Sequence, residues 1–317
     1  KGMDIIMIKI LVCDGMEKDA LQKLVDDGFE VVDKHYEEEE LKEQVKNFDV
    51  MIVRSATKVR KPLIDEAKKA GKLKLVIRGG VGVDNIDVKY AKENEIEVRN
   101  TPNASSASVA ELTIAHLFAL TRYVHLANVT MRDGKWEKKK YEGIELFGKT
   151  LGLVGFGRIA REVAKRAEAL GMKVVYTDKL GKAKGYERFE FCPLDKLLKK
   201  ANFVSLHVPF NKEEGAVIGK DEFAIMRDGA YIVNCARGGV VDEEALVEAL
   251  NLGKINGAGL DVFENEPKPN TELVNHPKVC VTPHIGGSTE EAQGRIGEEI
   301  VDIIEDFCHC NKIAVNA

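Results

Sequence analysis

The chain has 317 residues, 44% of them hydrophobic and 31% charged, with a formal net charge of −5. That is long enough for two domains with cores of their own, and the balance is that of a folded globular protein. The slight acidic excess argues against nucleic acid as the main partner, and the absence of a long apolar run argues against a membrane span.

The run Ile5–Cys13 is short, is interrupted by Lys9 and ends on Asp14-Gly15 with no small-residue cleavage site. It reads as a first strand and turn rather than a signal peptide. Ile8–Val12 is the strand proper. Met16, Ala20, Leu21, Leu24 and Val25 then fall on one helical face, with Gly28 as the stop. Glu37–Glu40 is a charge run of the kind found on a solvated loop or helix face. Asp49–Val53 reads as a second strand, followed by a helix with Pro62 in its first turn, and Leu73–Ile77 as a third. From Asn103 small residues (Ala104, Ser105, Ser106, Ala107, Ser108) lead into a long helical pattern that reaches about Thr130. A basic loop with Lys135, Trp136, Lys138, Lys139 and Lys140 follows.

A second series of βα units begins at Thr150. Its strands are Leu151–Val154, Lys173–Thr177, Phe203–Leu206, Ala230–Asn234, Gly257–Leu260 and Val279–Thr282, and the stretch Ala292–Phe307 is helical again. Such alternation predicts parallel sheets in two α/β domains, the larger in the middle of the chain. The cysteines (Cys13, Cys192, Cys235, Cys280, Cys308, Cys310) are scattered, as in a reduced, cytoplasmic protein. Cys308-His309-Cys310 has the form of a metal fragment, but no second ligand cluster accompanies it, so no metal is expected.

Leu151-Gly152-Leu153-Val154 runs straight into Gly155-Phe156-Gly157-Arg158-Ile159-Ala160, a GxGxxG fingerprint with alanine at the third glycine. Gly155 permits the tight turn, Gly157 lets the backbone approach a pyrophosphate, and Ala160 lets helix and sheet pack closely. The helix opening there offers its amides and dipole to the phosphates. Asp178 ends the next strand, 21 residues past Gly157, where a carboxylate meets the ribose hydroxyls and repels a 2′-phosphate. The expected cofactor is NAD, with Lys179 the one feature that weakens the preference for it over NADP.

Three further strands end in chemically equipped stretches: Asn234-Cys235-Ala236-Arg237-Gly238, Asp261-Val262-Phe263-Glu264-Asn265-Glu266-Pro267 and Thr282-Pro283-His284-Ile285-Gly286-Gly287. Open α/β sheets bind ligands at strand C-termini. Arginine can grip a carboxylate through two hydrogen bonds. Histidine can take a hydroxyl proton as hydride leaves the carbon, and a nearby carboxylate orients that histidine and favours its charged form. Singly, Arg237 also reads as a surface ion-pair partner, Glu266 as a solvated loop residue and His284 as a core histidine.

Together, and in this order along essentially the whole chain, these stretches resemble the signatures of D-isomer-specific 2-hydroxyacid dehydrogenases. The resemblance implies that Arg237 orients substrate, that His284 is the acid/base, and that Glu266 rather than Glu264 partners it. It places Arg158, Ile159, His207, Val208, Pro209, Cys235, Ala236, Arg237, Asp261, His284, Gly286 and Gly287 at cofactor-contact positions beside Gly155, Gly157 and Asp178. It also implies a Rossmann-type doubly wound NAD-binding domain over 104–284. The substrate domain would be discontinuous and flavodoxin-like, 1–103 with 285–317, and the active site would lie in the cleft.

Arg54-Ser55-Ala56-Thr57-Lys58 and Arg78-Gly79-Gly80-Val81-Gly82-Val83-Asp84-Asn85 follow the second and third strands. With Thr101-Pro102-Asn103-Ala104-Ser105, they resemble the phosphoglycerate dehydrogenase branch. Val81 departs from it, standing where the branch often has a hydroxyl residue. Arg54, Ser55, Lys58, Arg78, Gly79, Gly80 and Ser105 are the implied contacts of a phosphorylated 2-hydroxyacid. Lys138 is the implied contribution of a neighbouring subunit in a homodimer. The expected reaction is oxidation of 3-phospho-D-glycerate to 3-phosphohydroxypyruvate, the first step of phosphorylated serine biosynthesis. Two alternatives stand beside it. One is a glyoxylate or hydroxypyruvate reductase, which needs no phosphate cluster, and the other is a corepressor-like protein that senses NAD(H). Many members of the branch carry C-terminal domains that bind serine, and this sequence ends soon after Phe307, so feedback inhibition by serine is not expected.

Overall fold

The computed structural model describes residues 7–311. The run expected from Ile5 and the segment expected to reach residue 317 therefore lie partly outside the described residues. The chain divides into two compact units, one running through Ser105 and resuming at Gly287, the other Ser106–Gly286.

The first unit holds strands β1 (Lys9–Val12), β2 (Glu30–Asp33), β3 (Val50–Val53), β4 (Leu75–Arg78) and β5 (Glu97–Asn100). They form one parallel sheet in the order β2-β1-β3-β4-β5, the flavodoxin-type order. Its two faces are separately covered, which is why the central strands read as unbroken apolar runs. On one face Ile10, Ile52, Leu75 and Ile77 pack with Leu24 and with Ile296, Ile300, Ile304 and Phe307 of helix Glu290–Cys310. On the other, Leu11, Met51 and Val76 meet Leu41, Leu63, Ile64 and Ala67. Each such fully buried Leu or Ile contributes roughly 1.5–3 kcal/mol. Helix Lys61–Ala70 begins with Pro62 in its first turn and ends at left-handed Gly71. Val25 is an exception to the expected apolar face of helix Lys18–Asp26, for it is exposed while Ala20 and Leu24 are buried.

The second unit carries β6 (Thr150–Val154), β7 (Lys173–Thr177), β8 (Glu190–Phe191), β9 (Phe203–Leu206), β10 (Ala230–Asn234), β11 (Ile255–Leu260) and β12 (Val279–Val281). Their order is β12-β11-β10-β9-β6-β7-β8, all parallel. Relative to β6 this is the Rossmann strand order extended by one strand, with the reversal between β6 and β9.

The long helix expected to reach Thr130 is two. Ser106–Arg122 and Val124–Arg132 are separated by Tyr123, whose φ of 53° lies in the left-handed region. All six cysteines are free thiols, and Cys308 is buried inside the last helix. No helix among the described residues is long and apolar enough to cross a membrane.

Candidate active site

Where β6 ends, Gly155 has φ +86°, and a Cβ on it would lie 2.5 Å from the His207 carbonyl oxygen. Only glycine fits that turn. Gly157 is the N-cap of helix Arg158–Ala169, without a side-chain cap bond, and a Cβ there would meet nothing within 4 Å. Open space therefore faces the first amides of a three-turn helix, the setting for a phosphate group. Asp178, just past β7, accepts the Phe156 amide on Oδ2 (2.7 Å) and the Leu180 amide on Oδ1 (2.8 Å). The carboxylate is thus fixed beside the glycine loop, with lone pairs left for a ribose diol. This set of open amides and one anchored carboxylate fits a dinucleotide. Lys179 is ion-paired with Glu214. Arg158 is exposed and Ile159 half-buried. After β9, His207 and Val208 are half-buried and Pro209 exposed. His207 Nε2 lies 2.9 Å from Ser205 Oγ, and burial pushes its pKa down to about 3, so the ring is neutral.

The loop after β10 is shaped by Asn234, which is buried. Its Oδ1 accepts the Ala236 amide (3.0 Å) and its Nδ2 donates to the Arg237 carbonyl (2.9 Å). Cys235 is buried, and desolvation raises its thiol to about 12, so it is no nucleophile. Ala236 and Arg237 are half-buried, and Arg237 Nη1 donates to the Ala236 carbonyl (2.6 Å).

Asp261, 1% exposed, follows β11. Its Oδ1 accepts the Thr282 hydroxyl (2.6 Å) and the Ile285 amide (2.9 Å), and its Oδ2 accepts the Gly286 amide (2.8 Å). These bonds grip the turn after β12. His284, in that turn, has φ 53°, a left-handed conformation that costs a non-glycine residue about 1–3 kcal/mol. The grip of Asp261 offsets that strain. His284 Nδ1 lies 2.7 Å from Glu266 Oε2, and Glu266 Oε1 accepts the Phe263 amide (3.0 Å). A carboxylate can only accept, so Nδ1 carries a proton and Nε2 is the nitrogen left for chemistry. Burial works against the Glu266 carboxylate, but hydrogen bonds from His284 and the Phe263 amide outweigh it and hold its pKa below the ordinary value. Glu243, buried nearby, accepts the Glu264 amide (2.8 Å) and braces the same loop. Burial raises its pKa, partly offset by that amide.

In the first unit Asp14 braces the loop after β3. It accepts the Arg54 amide (2.7 Å), the Thr57 amide (3.1 Å) and the Thr57 hydroxyl (2.7 Å). Asn85 donates to the Arg54 and Thr57 carbonyls. Arg54 is half-buried, Ser55 and Lys58 exposed. Arg54 lines a hollow of about 600 Å³ together with Glu17, Glu290 and Gln293. Arg78 is half-buried and folds over Gly80, where a Cβ would lie 1.3 Å from its Nη1. Gly79, Gly80 and Ser105 are buried. Gly287 is half-buried near Ser105, whereas Gly286 belongs to the second unit. Lys138 is exposed in a 3₁₀ turn of the second unit.

One edge of the second unit thus brings together Arg237, Glu266, His284 and the glycine loop, while Arg54, Ser55, Lys58 and Arg78 belong to the first. Sequence reasoning gave no role of their own to Asp14, Asn85, Asn234, Thr282 and Glu243, which act on backbone groups or through another residue. The only sequence signal they give is a polar residue at the end of an apolar run.

Residues 114–286 match the family model described as D-isomer specific 2-hydroxyacid dehydrogenase, NAD binding domain. The chain belongs to this family. It is 47% identical to a hydroxypyruvate reductase of Thermotoga maritima, over 93% of this chain and 97% of that one. It is 45% identical to a D-3-phosphoglycerate dehydrogenase of Methanocaldococcus jannaschii, over 94% of this chain but only 57% of the relative's length. A crystal structure from Thermus thermophilus superposes with a TM-score of 0.84 at 38% identity, covering 93% of this chain and 94% of that one. As a D-2-hydroxyacid dehydrogenase the chain is an oxidoreductase, and its cofactor is NAD.

Proposed function

We propose that the protein interconverts a D-2-hydroxyacid and its 2-keto acid with His284 as the acid/base, and that the substrate is 3-phospho-D-glycerate. The observation that carries the reaction is the 2.7 Å contact between His284 Nδ1 and Glu266 Oε2. NAD, when bound, takes or supplies the hydride. His284 Nε2 takes the C2 hydroxyl proton during oxidation and returns it during reduction. Glu266 holds the ring in the tautomer that leaves Nε2 available and stabilises the imidazolium that forms. Arg237 holds the substrate carboxylate, and Asp178 selects NAD by its carboxylate. Similarity to a hydroxypyruvate reductase and a D-3-phosphoglycerate dehydrogenase favours an enzyme over a corepressor-like protein.

The cations Arg54, Lys58 and Arg78 support a second anionic group on the substrate, hence a phosphate and the first step of serine biosynthesis. The hydroxypyruvate reductase from Thermotoga, alike over nearly its whole length, supports the second reading, a hydroxypyruvate or glyoxylate reductase. Steady-state turnover with the phosphorylated and unphosphorylated acids decides between them. A preference for 3-phosphoglycerate and its keto acid is expected, and equal or better use of glyoxylate would reject it.

Free thiols, five of six buried, support a reduced cytoplasmic setting. Exposed Phe118, Val124, Val129, Met131 and Trp136 support a homodimer in which Lys138 reaches the neighbour's site. A monomer in sedimentation would remove that part of the reading.

A further inference from the structure

His116, in helix Ser106–Arg122, is 2% exposed. Its place is made by Gly259 on β11, where a Cβ would lie 2.8 Å from the His116 Cβ. His116 Nε2 is 3.1 Å from Thr282 Oγ1, and Thr282 Oγ1 is 2.6 Å from Asp261 Oδ1. The directions follow from donor chemistry. The carboxylate can only accept, so the single hydroxyl proton of Thr282 goes to Asp261, and the imidazole must donate its Nε2–H to Thr282. His116 Nδ1 is buried and finds no hydrogen-bond partner among the described residues. An apolar side chain would fill the same space without that desolvation cost, so the ring's contribution lies in its one hydrogen bond.

We infer that His116 is a positioning residue for the acid/base: it orients Thr282, which with Asp261 holds the turn that keeps His284 in its strained conformation. The inference rests on His284 being the acid/base. The chain runs from the His116 N–H to the Thr282 hydroxyl to the Asp261 carboxylate, which accepts the Ile285 and Gly286 amides flanking the reactive residue. A non-glycine residue keeps a left-handed φ only where its surroundings over-determine it, and this chain supplies that constraint from the interior.

The test compares H116L, H116Q, T282V and the H116L/T282V double variant, with hydroxypyruvate reduction by NADH as the assay and calorimetry confirming folding. H116L is expected to lower kcat about tenfold, the loss of one aligned hydrogen bond, with KM for NADH unchanged. Glutamine, whose Nε2 reaches the same point and donates, should restore most of kcat. T282V should lower kcat at least as far, and the double variant should fall no lower than T282V, because both substitutions cut one chain. A folded H116L with unaltered kcat, losses that multiply in the double variant, or H116Q no better than H116L would each overturn the inference. If H116L does not fold, T282V and H116Q decide alone.

A second readout is independent of turnover. In ¹⁵N-histidine-labelled protein one of the seven imidazoles should stay neutral in the Nε2–H form and shift in T282V. If the imidazole signal that disappears in H116Q, and so belongs to His116, does not shift in T282V, the chain is contradicted. An unmodified protein that reduces no 2-keto acid would refute the proposed function while leaving that spectrum as expected.

Discussion

Replacing Glu266 by glutamine keeps the size and one carbonyl oxygen of the side chain but removes its charge. In the native protein the carboxylate bonds His284 at 2.7 Å and the Phe263 amide at 3.0 Å. A hydrogen bond to a charged partner contributes about 1.5–3 kcal/mol against about 0.5–1.5 for a neutral one. Each side chain of the pair is more than a third exposed, 38% for His284 and 36% for Glu266, so solvent screening puts the difference at the lower end, about 1 kcal/mol. E266Q should therefore lose roughly five- to tenfold in kcat for keto-acid reduction, with KM for NADH unchanged because Glu266 does not touch the glycine loop. The acid side carries a second signature. A carboxylate held below its ordinary value of 4.5 keeps its pairing above that value and loses it as pH falls through the depressed value. The native enzyme should show this loss below pH 4.5, and E266Q should lack it. The assay is NADH absorbance with hydroxypyruvate across the acid range. An E266Q enzyme with native kcat and a native acid limb would refute the pairing as a catalytic device.

The other expectations concern separate parts of the molecule. Asp178→Ser removes the carboxylate proposed to meet the ribose hydroxyls, so the NAD-to-NADP ratio of kcat/KM should fall, and an unmodified protein using both nucleotides equally would contradict the assignment. Arg54→Ala should weaken 3-phosphoglycerate about ten- to a hundredfold while barely changing glyoxylate reduction; equal losses would make Arg54 a general carboxylate or structural residue. Glu243, raised by burial above 4.5, binds its proton more tightly in the folded state, so stability falls as pH rises through that window. Glu243→Gln still accepts the Glu264 amide, so its melting temperature should equal or exceed the native one at neutral pH, and a clear drop there would show that the charge is needed.

The legible part of the fold is the part buried on two sides. Lys173–Thr177, Phe203–Leu206 and Ala230–Asn234 stood out because both faces of these strands are covered, leaving runs of four or five residues with almost no polar interruption. Strands β2, β5 and β8 were passed over because these edge strands carry few apolar residues, whereas the edge strand β12 keeps an apolar run and was read. Glu-Val-Val-Asp and Glu-Val-Arg-Asn place charges among few apolar residues, as edges do. The break at Tyr123 carries no glycine or proline, and apolar residues recur on both sides of it, so nothing local marks the end of a helix. At the site, Arg237, Glu266 and His284 were singled out because each lies in a short stretch after an apolar strand, and their proposed roles came from the resemblance of those stretches in combination, not from any one residue. Asp14 and Asn234 were not, since a polar residue that caps backbone amides looks like any solvated loop residue until the chain is folded. Asp261 was readable as a position, but its grip on the His284 turn joins residues 24 and 25 apart in sequence.

The central claim is that His284 moves the proton in an NAD-dependent 2-hydroxyacid reaction, and the most direct test is turnover by His284→Ala against the native protein. Both are followed by NADH absorbance with 3-phosphohydroxypyruvate, hydroxypyruvate and glyoxylate, with NADH binding measured separately by fluorescence. The native protein should reduce at least one of these acids, and His284→Ala should bind NADH normally but lose about 10²-fold or more in kcat on it. Near-native turnover by His284→Ala, or no turnover of any keto acid by the native protein, would contradict the account.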